Sequence, residues 1–228
     1  MKLSSLSILI PAYKDEKTIT TVVKRAVLAG RTYAEKFEII VINDASPDHL
    51  SEVLTKLQRI IPELRSITHV KNQGYGGTLK DLYFAGMNEW LFTIPGDYQI
   101  DPIEIRKLVP YVNNADMIIG WRKERSDTQA RKRQSFIYNS LLRLLFGLSL
   151  HDINSIRLMK RTIMKKKMIT SMSAFVDAEL TISAIRDGFR VIEIPILHRH
   201  RETEGSSGGK LKIILSVIVD MIRYFFRL

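Results

Sequence analysis

The chain has 228 residues, 45% of them hydrophobic, and no cysteine. That supply of apolar side chains can bury a sizeable core, which excludes wholesale disorder, and the missing cysteines exclude a disulfide framework or a thiolate metal site. Lysine and arginine number 35 against 24 acids, a formal charge of +11, and such a surplus favours anionic partners.

The basic clusters Arg122-Lys123-Arg125, Arg131-Lys132-Arg133 and Lys165-Lys166-Lys167 point to phosphate. No RNA-binding motif and no stacking aromatics accompany them, so nucleic acid is not the expected partner. The opening "MKLSSLSILIPAYKDE" has too short an apolar core for a signal peptide and no small-residue cleavage site. No run reaches the roughly 18 apolar residues of a membrane-spanning helix. The expectation is a cytoplasmic protein.

In chain order, "LSILIPAY", "FEIIVIND" and "WLFTIPGD" are short apolar runs that stop at polar or turn residues, the pattern of buried strands. Between them, "DEKTITTVVKRAVLAG" is amphipathic and reads as a helix stopping at Gly30, and "HLSEVLTKLQRII" as one stopping before Pro62. A helical "PIEIRKLVPYVNN" precedes a further strand, "ADMIIGWR". Then "RQSFIYNSLLRLLFGLSLHD" reads as a helix ending near Gly147, "DAELTISAIRDG" as one closed by Gly188, "FRVIEIPILHRHR" as a strand and "ETEGSSGGK" as a mobile loop. Strands alternating with helices predict an α/β protein with a single mixed, mostly parallel sheet flanked by helices. Ligands of open sheets sit beyond the carboxyl ends of the strands, where Asp15, Asn43, Asp44, Asp97 and Arg122 all fall.

The final "LKIILSVIVDMIRYFFRL" carries Lys212, Ser216, Asp220, Arg223 and Arg227 as one narrow polar stripe on an apolar helix. Residues 1–210 therefore read as one domain. Residues 211–228 read as an amphipathic helix, either packed on that domain or lying in a membrane interface or on a membrane partner, the wide apolar arc favouring the membrane.

Taken together, the strand-end motifs resemble the family 2 glycosyltransferases of GT-A fold, and most closely the dolichyl- or polyprenyl-phosphate sugar synthases, from about Ser7 to Ser207. "IPAYKDEKTI" is similar to the family's "PAYNEE", and "VINDASPD" to its "VDDGSxD". "NQGYGGTLKDLYFAG" is similar to "NxGxGxA", and "GDYQIDP" to "DGDGQxDP". The run from "IIGWRKERSD" to "LLRLLFG" is similar to "GSR…R…S…N…LLG". Each motif alone is weak, but five in the family's order make a specific signal.

The resemblance implies an inverting transferase that moves a hexose from a nucleotide-sugar, GDP-mannose or a UDP-sugar, to a polyprenyl phosphate at the cytoplasmic face of a membrane. Pro11, Ala12 and Tyr13 would line the donor base. Asp15 and Asp44 would accept its hydrogen bonds, although Asp44 also suits an Asx turn before Ser46-Pro47. Gly74, Gly76 and Gly77 would let the backbone approach the donor, or simply form a tight turn.

The donor diphosphate needs Mg²⁺ or Mn²⁺. The implied ligands are Asp97 and Gln99, with Pro95 standing where the family has its first aspartate. Arg122 would contact the diphosphate, and Arg131 and Ser135 the acceptor phosphate, through the planar donor fork that suits arginine to this task. "HRHR" is similar to the family's "HYPR", which adds His198 and Arg201 to that site.

Asp177 and Glu179 would supply a base if the acceptor is a sugar hydroxyl. A lipid phosphate needs none, being ionised already. Two alternatives follow: a transferase acting on a saccharide in cell-surface glycan synthesis, or, given Pro95, a non-catalytic nucleotide-sugar-binding protein.

Overall fold

The computed structural model describes residues 1–123, 128–166, 169–199 and 211–227. The strands are β1 (Leu3–Ala12), β2 (Ala34–Asn43), β3 (Leu64–Thr68), β4 (Trp90–Thr93), β5 (Met117–Trp121), β6 (Arg157–Lys160) and β7 (Val191–Pro195). The helices are α1 (Ile19–Tyr33), α2 (Leu50–Gln58), α3 (Gly74–Ala85), the single turn α4 (Ile105–Leu108), α5 (Gln129–Phe146), α6 (Val176–Arg186) and α7 (Leu211–Phe225).

The strands form one sheet in the order β3-β2-β1-β4-β6-β5-β7. Only β6 runs antiparallel to its neighbours, between β4 and β5. Both faces are covered, which is why the central strands read as continuous apolar runs rather than alternating ones. Alternate residues feed two cores. Leu6, Ile8 and Ile10 of β1 join Ile39 and Val41 of β2 beneath α1 and α2. Leu9, Ile40 and Ile42 face the opposite core with Phe175, Leu180 and Tyr224.

Several expectations are revised. Helix α1 runs on past Gly30, which is no stop: its missing Cβ makes room for the Phe37 ring, whose Cδ2 would lie 2.3 Å from one. The segment after Asp101 is only α4 flanked by two 3₁₀ turns, because Pro110 lacks the N–H that a longer helix needs. Helix α5 does end at Gly147, in left-handed conformation with φ 65°, and its N–H donates to the carbonyl of Arg143. The glycine-serine loop expected near Gly205 lies outside the described residues.

Helix α7 packs on the domain. Met221 and Tyr224 are buried in the second core, and the Tyr224 hydroxyl lies 2.7 Å from that of Ser183. Asp220, from the polar stripe, accepts hydrogen bonds from the Met172 and Ser173 amides. Leu215, Ile218, Val219, Ile222 and Phe226 remain exposed on the other side. Among the described residues no helix is long and apolar enough to cross a membrane.

Candidate active site

The carboxyl ends of β1, β2 and β4 lie side by side because β1 pairs with both other strands. The Asp44 amide donates to the carbonyl of Ala12 and the Gly96 amide to that of Pro11. This continuation of the ladder brings Pro11, Ala12, Tyr13, Asp15, Asp44 and Asp97 to one edge.

Asp15 is buried, and its Oδ2 accepts from the Tyr13 amide at 3.0 Å. A Cβ on Gly96 would come within 2.9 Å of that same oxygen, so only glycine allows the β4 turn to approach so closely. Asp44 is not the Asx-turn residue: the Ser46 amide bonds to the side chain of Asn43 instead. Asp44 caps α3, accepting from the Gln73 amide at 2.7 Å and the Gly74 amide at 2.8 Å. His69 buttresses it, with Nδ1 2.8 Å from Asp44 and Nε2 3.2 Å from Asp81. Gly76 faces away from this edge: a Cβ there would lie 2.1 Å from the Ser173 carbonyl oxygen, so the glycine serves close packing of α3 on the segment before α6.

The turn after β4 contains Asp97, whose Oδ1 accepts from the Gln99 amide at 3.1 Å. Pro95 falls between two residues whose amides bond to β1, Ile94 to Leu9 and Gly96 to Pro11, a position where no N–H is needed. Asp101 is held by Arg25 through two parallel contacts of 3.0 and 2.8 Å and by Arg199 at 2.9 Å. It also caps the next turn through the Ile103 amide. Asp101 therefore shapes the turn, and Asp97 and Gln99 are further oxygen-bearing side chains along it. No group of three or more acidic or histidine side chains able to hold a metal occurs among the described residues. One carboxylate and one amide suit Mg²⁺ or Mn²⁺ only when phosphate oxygens and waters complete the shell.

A second feature opens beside the end of β5. A cleft of about 570 Å³ is lined by Arg122, Lys123, Lys132, Arg143 and His151, with Ser135, Asn139, Phe136 and Trp121 among the remaining residues. Helix α5 supplies Lys132, Ser135, Phe136, Asn139 and Arg143, one face at three- and four-residue spacing. Asp152 is the carboxylate of this lining. It grips the Arg122 guanidinium at 2.7 and 2.8 Å, so that fork is pre-set rather than loose. Arg131 belongs to α5, but its side chain and all of Arg201 lie outside what is described. His198 is buried.

The expected bases sit elsewhere. Asp177 is 1% exposed and pairs with Arg157 at 3.1 Å, with the Tyr83 hydroxyl donating to it at 2.7 Å. Burial pushes its carboxyl upward against the pull of Arg157, and burial likewise raises Tyr83. Glu179 is buried too, and accepts from the Thr170 and Ser171 amides and the Thr170 hydroxyl. Both carboxylates are thus engaged by partners within the fold.

Residues 7–167 match the family model for glycosyl transferase family 2. The chain belongs to that family. An undecaprenyl-phosphate 4-deoxy-4-formamido-L-arabinose transferase of Edwardsiella ictaluri is 28% identical over 224 residues, covering 95% of this chain and 66% of the relative. A dodecaprenyl-phosphate galacturonate synthase of Rhizobium johnstonii is 26% identical over 230 residues, covering 97% and 66%. The chain thus spans about two thirds of the length of these relatives. Glucosyl-3-phosphoglycerate synthase of Mycobacterium tuberculosis superposes with a TM-score of 0.74 at 15% identity, over 97% of this chain and 78% of that one. This family member therefore has the GT-A fold expected from its strand-end motifs.

Proposed function

We propose that the protein transfers a sugar from a nucleotide-sugar to a polyprenyl phosphate. The observation that carries this reading is the cationic cleft along α5, with the exposed Phe136 in its lining. Ile137, Leu141, Leu144 and Leu145 are exposed on the outer face of the same helix, and Phe146 meets Phe225 of α7 with ring centroids 5.9 Å apart. A phosphate head would enter the cleft while its chain lies along apolar helix surface. The relatives that name undecaprenyl and dodecaprenyl phosphate support the same acceptor.

The donor would occupy the edge of β1, β2 and β4. Asp15 and Asp44 would accept from its base or ribose, and Asp97 with Gln99 would hold Mg²⁺ or Mn²⁺ against the diphosphate. The metal, when bound, supplies charge neutralisation on the leaving diphosphate. An acceptor phosphate oxygen would attack the anomeric carbon as the carbon–oxygen bond to the diphosphate breaks, with inversion. A phosphate monoester has a second pKa near about 6, so it arrives ionised and needs no base. That agrees with the structural engagement of Asp177 and Glu179. Arg122, Lys132, Ser135 and, by family resemblance, Arg131 and Arg201 would neutralise and orient the two phosphate groups. The exposed faces of α5 and α7 would hold the protein peripherally on the cytoplasmic side of the membrane or on a membrane subunit.

Incubation with radiolabelled nucleotide-sugars and undecaprenyl phosphate vesicles tests this reading. Label entering a butanol-soluble, acid-labile product is expected, and a Lys132→Glu/Arg143→Glu variant should lose most of it. Transfer to a soluble saccharide alone, or donor binding with no transfer, would overturn the lipid acceptor.

A further inference from the structure

The cleft beside β5 contains a ring that this mechanism leaves unused. His151 stacks on Trp121, with centroids 4.6 Å apart and planes 19° from parallel. Its Nδ1 lies 3.0 Å from Oε2 of Glu193 on β7. The Glu193 side chain is 8% exposed, and it also accepts from the backbone amides of His151 and Asp152, each at 2.7 Å. The imidazole is therefore fixed on one face by an indole, at one nitrogen by a carboxylate, and through its own peptide by the same carboxylate.

Such a tether places a proton on Nδ1 and leaves Nε2 as the working atom. The ring is half exposed and lines the cleft. Besides Glu193, the charged groups among the described residues that line the cleft are Asp152, Arg122, Lys123, Lys132 and Arg143. An anion entering among them meets a second proton donor wherever Nε2 is protonated.

We propose that His151 is a phosphate-binding residue of the acceptor site, donating from Nε2 to a phosphate oxygen, and that Glu193 is its positioning residue. The inference rests on the acceptor reading above and extends it. A phosphate monoester brings close to two negative charges at neutral pH. A charge-assisted hydrogen bond from an imidazolium already neutralised on its other side by Glu193 is a favourable match. The same pair would act as a base toward a hydroxyl acceptor only with Nε2 unprotonated, so its protonation state in the complex decides between the two roles.

The experiment is a titration of the full chain, ¹⁵N-labelled at histidine, with farnesyl phosphate and separately with inorganic phosphate. Bound farnesyl phosphate should move the His151 Nε2 resonance into the protonated range. His151→Gln, at a half-exposed position, should fold normally and weaken farnesyl phosphate about tenfold, with binding of UDP or GDP unchanged. Glu193→Gln sets an amide NH2 against one of the N–H donors that both Glu193 oxygens now accept from, so it should free the ring and weaken farnesyl phosphate as His151→Gln does, with no further loss in the double variant. A purely structural role would not make the double variant equal to His151→Gln or spare the binding of UDP or GDP. Farnesyl phosphate bound equally by His151→Gln, or an Nε2 that stays unprotonated in the complex, overturns the inference and leaves the lipid acceptor standing. Inorganic phosphate bound through His151 without any binding of farnesyl phosphate overturns the lipid acceptor and supports the phosphate role of His151.

Discussion

Arg157 of β6 and Asp177 of α6 lie 3.1 Å apart with side chains 0% and 1% exposed, beneath the strand ends that form the candidate site. The arginine also donates to the carbonyls of Asp177 and Ile153 and to the Thr181 hydroxyl. Tyr83 and Tyr75 reach the same carboxylate from α3, at 2.7 and 3.4 Å. The pair ties the antiparallel strand to two helices, so its function is to hold the floor of the site.

Removing one partner strands a buried charge. Asp177→Asn should therefore cost about 3–5 kcal/mol of stability, read as a lower urea midpoint. A double replacement by apolar residues, Arg157→Met with Asp177→Leu, should cost less than Asp177→Asn, because no charge is left unpaired. If Asp177→Asn instead abolished transfer at unchanged stability, the carboxylate would be a catalytic base after all.

Asp101 carries a pH signature. Burial is the largest single influence and pushes its carboxyl upward. The Arg25 hydrogen bond, the Ile103 amide and the charges of Arg25 and Arg199 together outweigh burial and bring it below the usual range. A carboxylate depressed in the folded state contributes stability above its unfolded pKa of about 3.9 and loses it as pH falls through the folded value. Asp101→Asn should thus destabilise by about 1–3 kcal/mol at pH 7, and the gap to the wild type should close below about pH 4. Urea unfolding at pH 7, 5 and 3.5 measures this.

Pro95, where a second carboxylate would stand, predicts that metal binding depends on the donor. With one carboxylate and one amide at the tip of the β4 turn, Mn²⁺ should bind weakly alone and tightly with a nucleoside diphosphate. Pro95→Asp restores a second carboxylate at a position whose N–H the ladder does not use. It should tighten Mn²⁺ binding in the absence of nucleotide by roughly tenfold, since ligand charge sets affinity. Electron paramagnetic resonance of free Mn²⁺ reads both. Equal Mn²⁺ affinity of the wild type with and without nucleotide would contradict the prediction.

The strand ends that frame the candidate site were legible in the sequence where apolar runs stop abruptly. Apolar runs stopping at Tyr13, Asp44, Asp97 and Arg122 marked β1, β2, β4 and β5 and the polar edge beyond them. What escaped were β3 and β6, "LRSIT" and "RLMK", whose polar residues break the strand pattern. Nothing in the sequence around Arg157 marks it as buried, yet it is wholly buried, paired with Asp177 from a helix 20 residues on. Gly30 and Gly76 were misread for a related reason. A glycine kept for close packing against Phe37 or the Ser173 carbonyl looks in sequence like one kept for a turn or a ligand. Asp152, His69, His151 and Glu193 escaped because each matters through a long-range partner, although a charge inside "LSLHDINSIRL" was a usable hint.

Helix α7 resolves two expectations that looked exclusive. Its Asp220, Met221 and Tyr224 dock on the domain, while Leu215, Ile218, Val219, Ile222 and Phe226 form a second apolar face at helical spacing. Deleting the helix would strip core residues and confuse instability with lost membrane binding, so substitution on each face is the cleaner test. Ile218→Ser/Ile222→Ser/Phe226→Ser should leave the thermal midpoint within about 2 °C, as exposed changes do. It should also lower cosedimentation with anionic phospholipid vesicles severalfold, since interfacial binding scales with the apolar area a helix inserts. Met221→Ala should do the reverse, costing about 2–4 kcal/mol of stability with vesicle binding retained by the folded fraction. Unchanged vesicle binding in the triple variant would mean that α7 meets something other than lipid, and a membrane subunit would then be the partner to seek.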